Sequence, residues 1–337
     1  MTEHDTASAL RLTSSVWREG SVIAQDVRAD EIIELAHDPD SLIWVDLVSP
    51  TWDQLDPIVR GLGLPSSATE DALAPHERVK LTRHDEYLFF TVYGTDYTPA
   101  HADELFGTVR TSRVSGIVLP SALVTIRLDD GFDLDELRAR WADADDLERH
   151  GAGTLVYNLL DMVVDQHFAT IQSLDDAVED LEESLFAQQR TGNTFQRQVY
   201  ELRKNLVTLR RVVLPMRDVV NGLLRHQHVA GDDFQTLYED LNDHVLRASE
   251  WTDSLRDLSS SLFETNLSLQ DARLNIVMKK LSGWAAIIAV PTAITGWFGM
   301  NVPYPFFGQP AGFWLSAGLI LAMSVGLYVT FKQRDWL

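Results

Sequence analysis

From Leu281 onward the chain is almost wholly apolar. One run extends to Met300, a second covers Phe313 to Phe331, and no charged residue lies between Lys280 and Lys332. Each run is close to the roughly 20 residues that a helix needs to cross a hydrocarbon core. Between them, Asn301 to Gly312 is rich in Pro, Gly and aromatic residues. The pattern predicts two membrane crossings, residues 281–301 and 313–331, joined by an extracytoplasmic loop at 302–312. Lys279 and Lys280 precede the first run, and Lys332 and Arg334 follow the second in the tail 332–337. Basic residues mark the cytoplasmic side of such segments. Both termini are therefore expected in the cytoplasm, and the protein in the inner or plasma membrane.

Before these runs the hydrophobic period changes once. Residues 1–20 show no clear period and are expected to be flexible. Over 21–150 short apolar runs alternate with turn signals, as in a cytosolic α/β domain. Ser41–Val48 reads as a buried strand stopped by Ser49-Pro50. Tyr87–Tyr93, Leu105–Arg110, Val114–Leu119 and Ala122–Leu128 read as further strands, with Pro120-Ser121 turning the last pair. Thr51–Leu62 and Ser66–Ala74 read as short helices, the second with Ser66 as N-cap.

From about Leu155 the period is helical. Residues 151–231 predict two long antiparallel helices, Leu155–Gln189 and Phe195 to about His226, separated by Thr191-Gly192-Asn193. Pro215 should kink the second. After a break at Gly231-Asp232-Asp233, a third helix starts near Phe234 and meets no breaker before Gly283 and Pro291. Residues 232–280 form its stalk; continued to Met300, it would be roughly 100 Å long.

One face of the first membrane run is small or polar almost throughout. In steps of three and four residues it reads Asn275, Met278, Ser282, Ala285, Ala289, Thr292, Gly296 and Gly299, with Leu281 close by at the cytoplasmic end. Trp284, Ile287, Ile288, Val290, Ile294, Trp297 and Phe298 occupy other faces. Such a column is either a seam for close helix packing or the lining of a pore. Two helices cannot enclose a pore, so the second reading requires a symmetric oligomer.

Charge and composition narrow the function. The net charge is −22, and the stretch from Lys279 onward is basic, so the acidic excess belongs to residues 1–278. That argues against nucleic acid as a partner. The chain has no cysteine, which excludes a disulfide framework and a thiolate metal site. Its start, Met1-Thr2-Glu3-His4-Asp5, lacks the marks of a cleaved signal peptide. There is no phosphate-binding loop, dinucleotide-binding glycine pattern or nucleophile elbow, so neither an organic cofactor nor enzymatic activity is expected. Asp175, Asp176, Glu179, Asp180, Glu182 and Glu183 read as the solvated face of a helix. Glu70, Asp71, Asp161 and Asp240 stand apart from that run; on the residues alone they read as helix caps and surface charge. His226 and His228 are the one close histidine pair, and they share neither a helix face nor a typical zinc spacing.

The first membrane run ends in Gly299-Met300-Asn301, preceded by Gly296 and Phe298. In this place the triplet resembles the signature of the CorA family of divalent-cation channels. The tail Lys332-Gln333-Arg334-Asp335-Trp336-Leu337 is similar to that family's basic tail. Trp44-Val45-Asp46-Leu47, Glu70-Asp71-Ala72-Leu73, His76-Glu77-Arg78-Val79-Lys80 and Pro215 look like its recurring segments. The resemblance implies an α+β membrane protein: a cytosolic α/β domain and a helical stalk continuous with the first of two membrane helices, assembled as a homopentameric funnel. It implies Mg2+ as cargo, with Co2+ or Ni2+ as related cargo, moving into the cytoplasm. Gly299, Met300 and Asn301 would form the selectivity filter, the small-polar column the pore lining, and Met278 with Leu281 an apolar constriction. Regulatory Mg2+ would bind between neighbouring subunits. Asp71 and Asp240 fall on a first such site, and Glu70 and Asp161, with Asp240 nearby, on a second. The partners are then other copies of the chain, membrane lipid and divalent cations.

Two other readings compete. A Zn2+ transporter of the same fold is one, although zinc-transporting relatives tend to carry Val where this chain has Met300. A membrane-tethered scaffold is the other, and it needs neither the column nor Asn301. The chain departs from the family pattern in three places. Phe298 stands where Tyr is usual, Pro291 lies one residue closer to Gly299 than in better-known members, and Val302–Gly312 carries no carboxylate.

Overall fold

A computed structural model describes residues 10–19, 21–38, 40–100, 106–142, 151–186, 192–225 and 235–336. Two compact units divide the chain at Ser260. The first is built on seven strands in the order β2-β1-β3-β7-β6-β5-β4. They are β1 (Arg11–Arg18), β2 (Ser21–Gln25), β3 (Leu42–Val48), β4 (Lys80–Arg83), β5 (Leu88–Thr98), β6 (Thr108–Leu119) and β7 (Ala122–Arg127). β3 and β7 run parallel, with Ile43 opposite Ala122, and the remaining pairs are antiparallel.

β3 is buried along its whole length because both faces of the sheet are covered. Alternate residues of a strand point to opposite faces. Ile43, Val45 and Leu47, with Val124, Ile117 and Phe89, form one core with α1 (Ala29–Leu35), α2 (Trp52–Gly61) and α3 (Ser66–Leu73) through Ile32, Leu55, Ile58, Val59, Ala68 and Ala72. Trp44 and Asp46 take the other face, under α4 (Asp135–Ala142) and α5 (Ala152–Phe186). There the Trp44 ring meets Trp141 of α4 edge-on at 5.0 Å. Asp46 is buried, and Arg127 of β7 closes on it with Nε 3.2 and 3.1 Å from its two oxygens and Nη2 at 2.5 Å. Thr125 Oγ1 lies 2.7 Å from Asp46 Oδ1 and accepts from Trp44 Nε1 at 3.1 Å. A charge in this layer is tolerated because its oxygens are paired and bonded.

Polar rungs fix α5 on β5. Thr95 and Thr170 share a hydroxyl contact of 2.9 Å, and His167 Nε2 lies 2.8 Å from the Tyr93 carbonyl oxygen. His167 is buried, and that burial, against the pull of the Tyr93 carbonyl, brings its pKa down to about 4. The unfolded chain then binds the proton more tightly than the folded one. Stability is whole above the usual value near 6.5 and falls as the pH drops toward 4, by up to about 3 kcal/mol at 1.36 kcal/mol per pKa unit. Thermal melts from pH 7 to 5 should therefore show a steeper loss in the wild type than in His167→Gln, which keeps an N–H donor and cannot charge. Equal slopes would remove His167 from the acid response.

α6 (Gly192–Val213) packs beside α5 and is tied to β6 by one amide. Asn205 Oδ1 accepts from Val109 N at 3.1 Å, and its Nδ2 donates to the Gly107 carbonyl at 2.8 Å. Pro215 does not kink a continuous helix. It is the N-cap of a new one, α7 (Met216–Leu224), because it has no N–H to continue the ladder and its ring crowds the preceding turn. α8 (Gln235–Phe298) is 64 residues long, and α9 (Pro310–Gln333) follows it.

Other expectations need correction. Residues 11–18 are not flexible but form β1, where Ser14 and Ser15 are buried; Val27 N donates to Ser14 Oγ at 2.8 Å. Leu105 lies outside the described residues, and the strands expected on either side of Arg110 are one strand, β6. Ser66 is the first residue of α3, whose N-cap is Pro65, so Glu70 and Asp71 sit in its second half rather than at its start. Gly192 and Asn193 belong to α6. Thr191, His226, His228 and Gly231-Asp232-Asp233 lie outside the described residues.

Candidate ion-conducting site

Within the second unit, α9 and the end of α8 expose large apolar side chains: Trp284 51%, Ile288 65%, Trp297 63%, Trp314 72% and Leu321 69%. Surface of this kind is covered by lipid or by another protein chain. Reduced exposure recurs on α8 at Ala286, Ile287, Val290, Pro291, Ile294 and Phe298 beside the buried Gly283, and on α9 at Ser316, Ala317, Ile320, Ser324, Leu327 and Phe331 beside the buried Gly312. These spacings of three and four place the less exposed residues of each helix on a single face.

The column falls elsewhere. Asn275, Met278, Leu281, Ser282, Ala285, Ala289, Thr292, Gly296 and Gly299 are all exposed. Ala285, Ala289, Thr292 and Gly296 each stand two residues beyond a shielded position, about 200° around the helix. They lie on the side of α8 opposite its less exposed face. The Thr292 hydroxyl donates to the Ile288 carbonyl at 3.1 Å, so it offers outward only lone pairs.

α8 ends at Phe298. Gly299 N donates to the Thr295 carbonyl at 2.8 Å and Met300 N to that of Trp297 at 3.3 Å. A Cβ on Gly299 would lie 2.9 Å from the Thr295 oxygen, so this close turn demands glycine. Asn301 emerges exposed. Beyond it Tyr304 folds back: its hydroxyl donates to the Phe298 carbonyl at 3.0 Å, and its ring meets Phe298 edge-on at 5.0 Å. The triplet is thus held between a helix end and a braced loop.

The four carboxylates separate into two places. Asp161 on α5 is half-buried, and burial first, then Asp165, raises its pKa; Asp240 adds to that rise, while His244 and Arg140 oppose it. Asp240, on α8, is exposed, with Oδ2 3.9 Å from His244 Nε2. These two therefore stand within electrostatic reach of each other. Asp71 pairs instead with Lys80, Oδ1 to Nζ 3.3 Å, and Lys80 also lies 3.2 Å from Glu77 Oε1. Glu70 is exposed. Among the described residues of one protomer, no three His, Asp or Glu side chains are grouped to hold a metal ion. Glu77 and Lys80 were read only as part of a recurring family segment, and His244 was given no role at the site. Lys80 opens β4, a four-residue strand too short to show a period.

The sequence model of the "CorA-like Mg2+ transporter protein" family matches residues 39–333. The chain belongs to this family. Members of the CorA family are ion transporters, and this chain is a divalent-cation transporter rather than an enzyme. It is similar to the cobalt/magnesium transport protein CorA of Thermotoga maritima, 27% identical over 305 residues that cover 87% of this chain and 85% of the relative. It is also 24% identical over 296 residues to the zinc transport protein ZntB of Yersinia enterocolitica, covering 86% of this chain and 84% of that protein. The solved structure of the complete CorA magnesium transporter from Methanocaldococcus jannaschii superposes with a TM-score of 0.76 at 23% identity, over 97% of this chain and 98% of that one. The α/β domain, long helix and two apolar C-terminal helices are thus the CorA fold.

Proposed function

We propose that this CorA-family protein conducts Mg2+ into the cytoplasm as a homopentamer, with both termini cytoplasmic. The observation that carries the reading is the small-polar column, left exposed along one face of α8, opposite its less exposed face, and leading to Asn301. Mg2+ gives up its water reluctantly, and a hydrated cation presents water hydrogens outward. The groups it meets should then be hydrogen-bond acceptors of low charge. The Asn301 carbonyl oxygens suit this, and so does Thr292, whose proton already serves its own helix. Met278 and Leu281, exposed and apolar, form a constriction that gates by dewetting.

The zinc reading draws on the similarity to ZntB. Against it, the column and filter contain no histidine, and the chain has no cysteine, whereas zinc takes nitrogen and sulfur ligands readily. Uptake of Mg2+, Zn2+ and Co2+ into liposomes carrying the protein decides between them. Mg2+ flux should be the fastest, and zinc uptake without Mg2+ uptake would overturn the assignment.

The regulatory donors are hard carboxylate oxygens of the kind Mg2+ takes through its waters. Asp71 already receives a cation, the Lys80 ammonium. The residues fit a divalent ion, with a neighbouring protomer supplying the remaining donors: Asp71 of one copy with Asp240 of the next, and Glu70 with Asp161 beside them. Carboxylates brought together repel, by about 4 kcal/mol per pair at 4 Å and an effective dielectric of 20. A cation that binds the assembled, closed state better shifts the population toward it. Asp71→Asn with Asp240→Asn should therefore flatten the Mg2+ dependence of protease protection and blunt inhibition by internal Mg2+. Protection curves identical to the wild type would sink the assignment of these two residues.

A further inference from the structure

Lys80 stands where a bound cation would stand. Its ammonium lies 3.3 Å from Asp71 and 3.2 Å from Glu77, and its side chain is only 21% exposed. The same ammonium sits over the Phe89 ring, 5.4 Å from the centroid. The backbone around it is fixed on every side. Lys80 pairs with Thr91 in the β4–β5 ladder. Arg113, buried in β6, donates to the carbonyls of Asp71, Ala72 and Ala74 and so pins the end of α3. The Tyr93 hydroxyl donates to the Glu77 carbonyl. What can still move is the ammonium, a compact charge on a flexible four-carbon stem.

We infer that Lys80 is a tethered competitor for the divalent cation at Asp71 and sets the internal Mg2+ concentration at which the transporter closes. This rests on the reading of Asp71 as a regulatory ligand given above. A carboxylate engaged by an ammonium must give up that contact to take a dication. The displaced ammonium keeps its contact with Glu77, so it is not left half-buried and unpaired, the arrangement that makes broken ion pairs costly. The observed affinity is then the difference between two cations' hold on Asp71, and the closing midpoint moves to higher Mg2+ than a bare carboxylate would give.

The test is a protease digest of the full-length protein in detergent across a Mg2+ titration. Lys80→Met keeps the stem and removes the charge. Its protection midpoint should fall about two- to fivefold, the worth of a partly exposed ion pair. Arg78→Met makes the same charge change two residues away at an exposed position and should leave the midpoint in place. A Lys80→Met midpoint that is unchanged or raised overturns the inference, and so does an equal fall in Arg78→Met, which would reduce the effect to net charge. If Lys80→Met does not fold, Lys80→Gln puts the same question. Asp71→Asn separates the two levels: if it leaves the wild-type curve intact, the regulatory reading of Asp71 fails. If it moves the curve while Lys80→Met does not, only the competition fails.

Discussion

Liposomes carrying Asn301→Ala are expected to take up Mg2+ at least about 100-fold more slowly than wild type, from a protein that still assembles. A ring of side-chain carbonyls would hold the hydration shell by several hydrogen bonds at once. Each contributes on the order of 1 kcal/mol, so losing one from every copy of a pentamer removes several kcal/mol from the passage of the ion. The backbone need not change, because Asn301 is exposed and the turn before it is closed by main-chain bonds from Gly299 and Met300. Size-exclusion chromatography with light scattering would confirm assembly. Undiminished flux from the assembled mutant would take Asn301 out of the filter.

Asp46→Ala should be the most damaging single change in the α/β domain. The carboxylate is buried, and the Arg127 side chain that closes on it is 13% exposed. Removing one partner leaves a buried guanidinium without its counter-charge, which costs about 3–5 kcal/mol, a large part of the 5–15 kcal/mol that ordinarily holds a domain together. The melting temperature should fall by about 10 °C, followed by tryptophan fluorescence, since Trp44 and Trp141 lie in the same layer. Asp46→Leu with Arg127→Met removes both charges and should recover much of the loss. If the double mutant melts no higher than Asp46→Ala, the damage comes from packing rather than from the orphaned charge.

What the sequence shows and hides follows from where hydrogen bonds go. The two apolar helices were legible as unbroken apolar runs of membrane length, and α5 because its buried face repeats with the helical period. β1 was not, because its buried Ser14 is held by bonds to the Val27 backbone thirteen residues away, which no apolar period reveals. α1, β2 and β4 are too short to carry one. The column on α8 could be read, and the structure leaves it exposed; whether it faces other copies is the question the flux experiments answer. The Asp71–Lys80 pair could not be read at all, since it depends on the end of α3 and the start of β4 lying side by side. No composition or spacing specifies that contact.

The parallel pairing of β3 with β7 also bears on synthesis. Ile43 finds its partner only at Ala122, so the middle of the sheet cannot close until nearly eighty further residues have been made. Strand pairing at such separation is slow to nucleate. Until then β3, a strand that the finished fold buries on both faces, has an unpaired edge in a nascent chain, the kind of segment chaperones hold. Yet β7 is complete at Arg127, more than a hundred residues before the apolar part of α8. The ribosome therefore has time to release a finished α/β domain before the first membrane helix appears, and the two folding problems, one in water and one in lipid, are met one after the other.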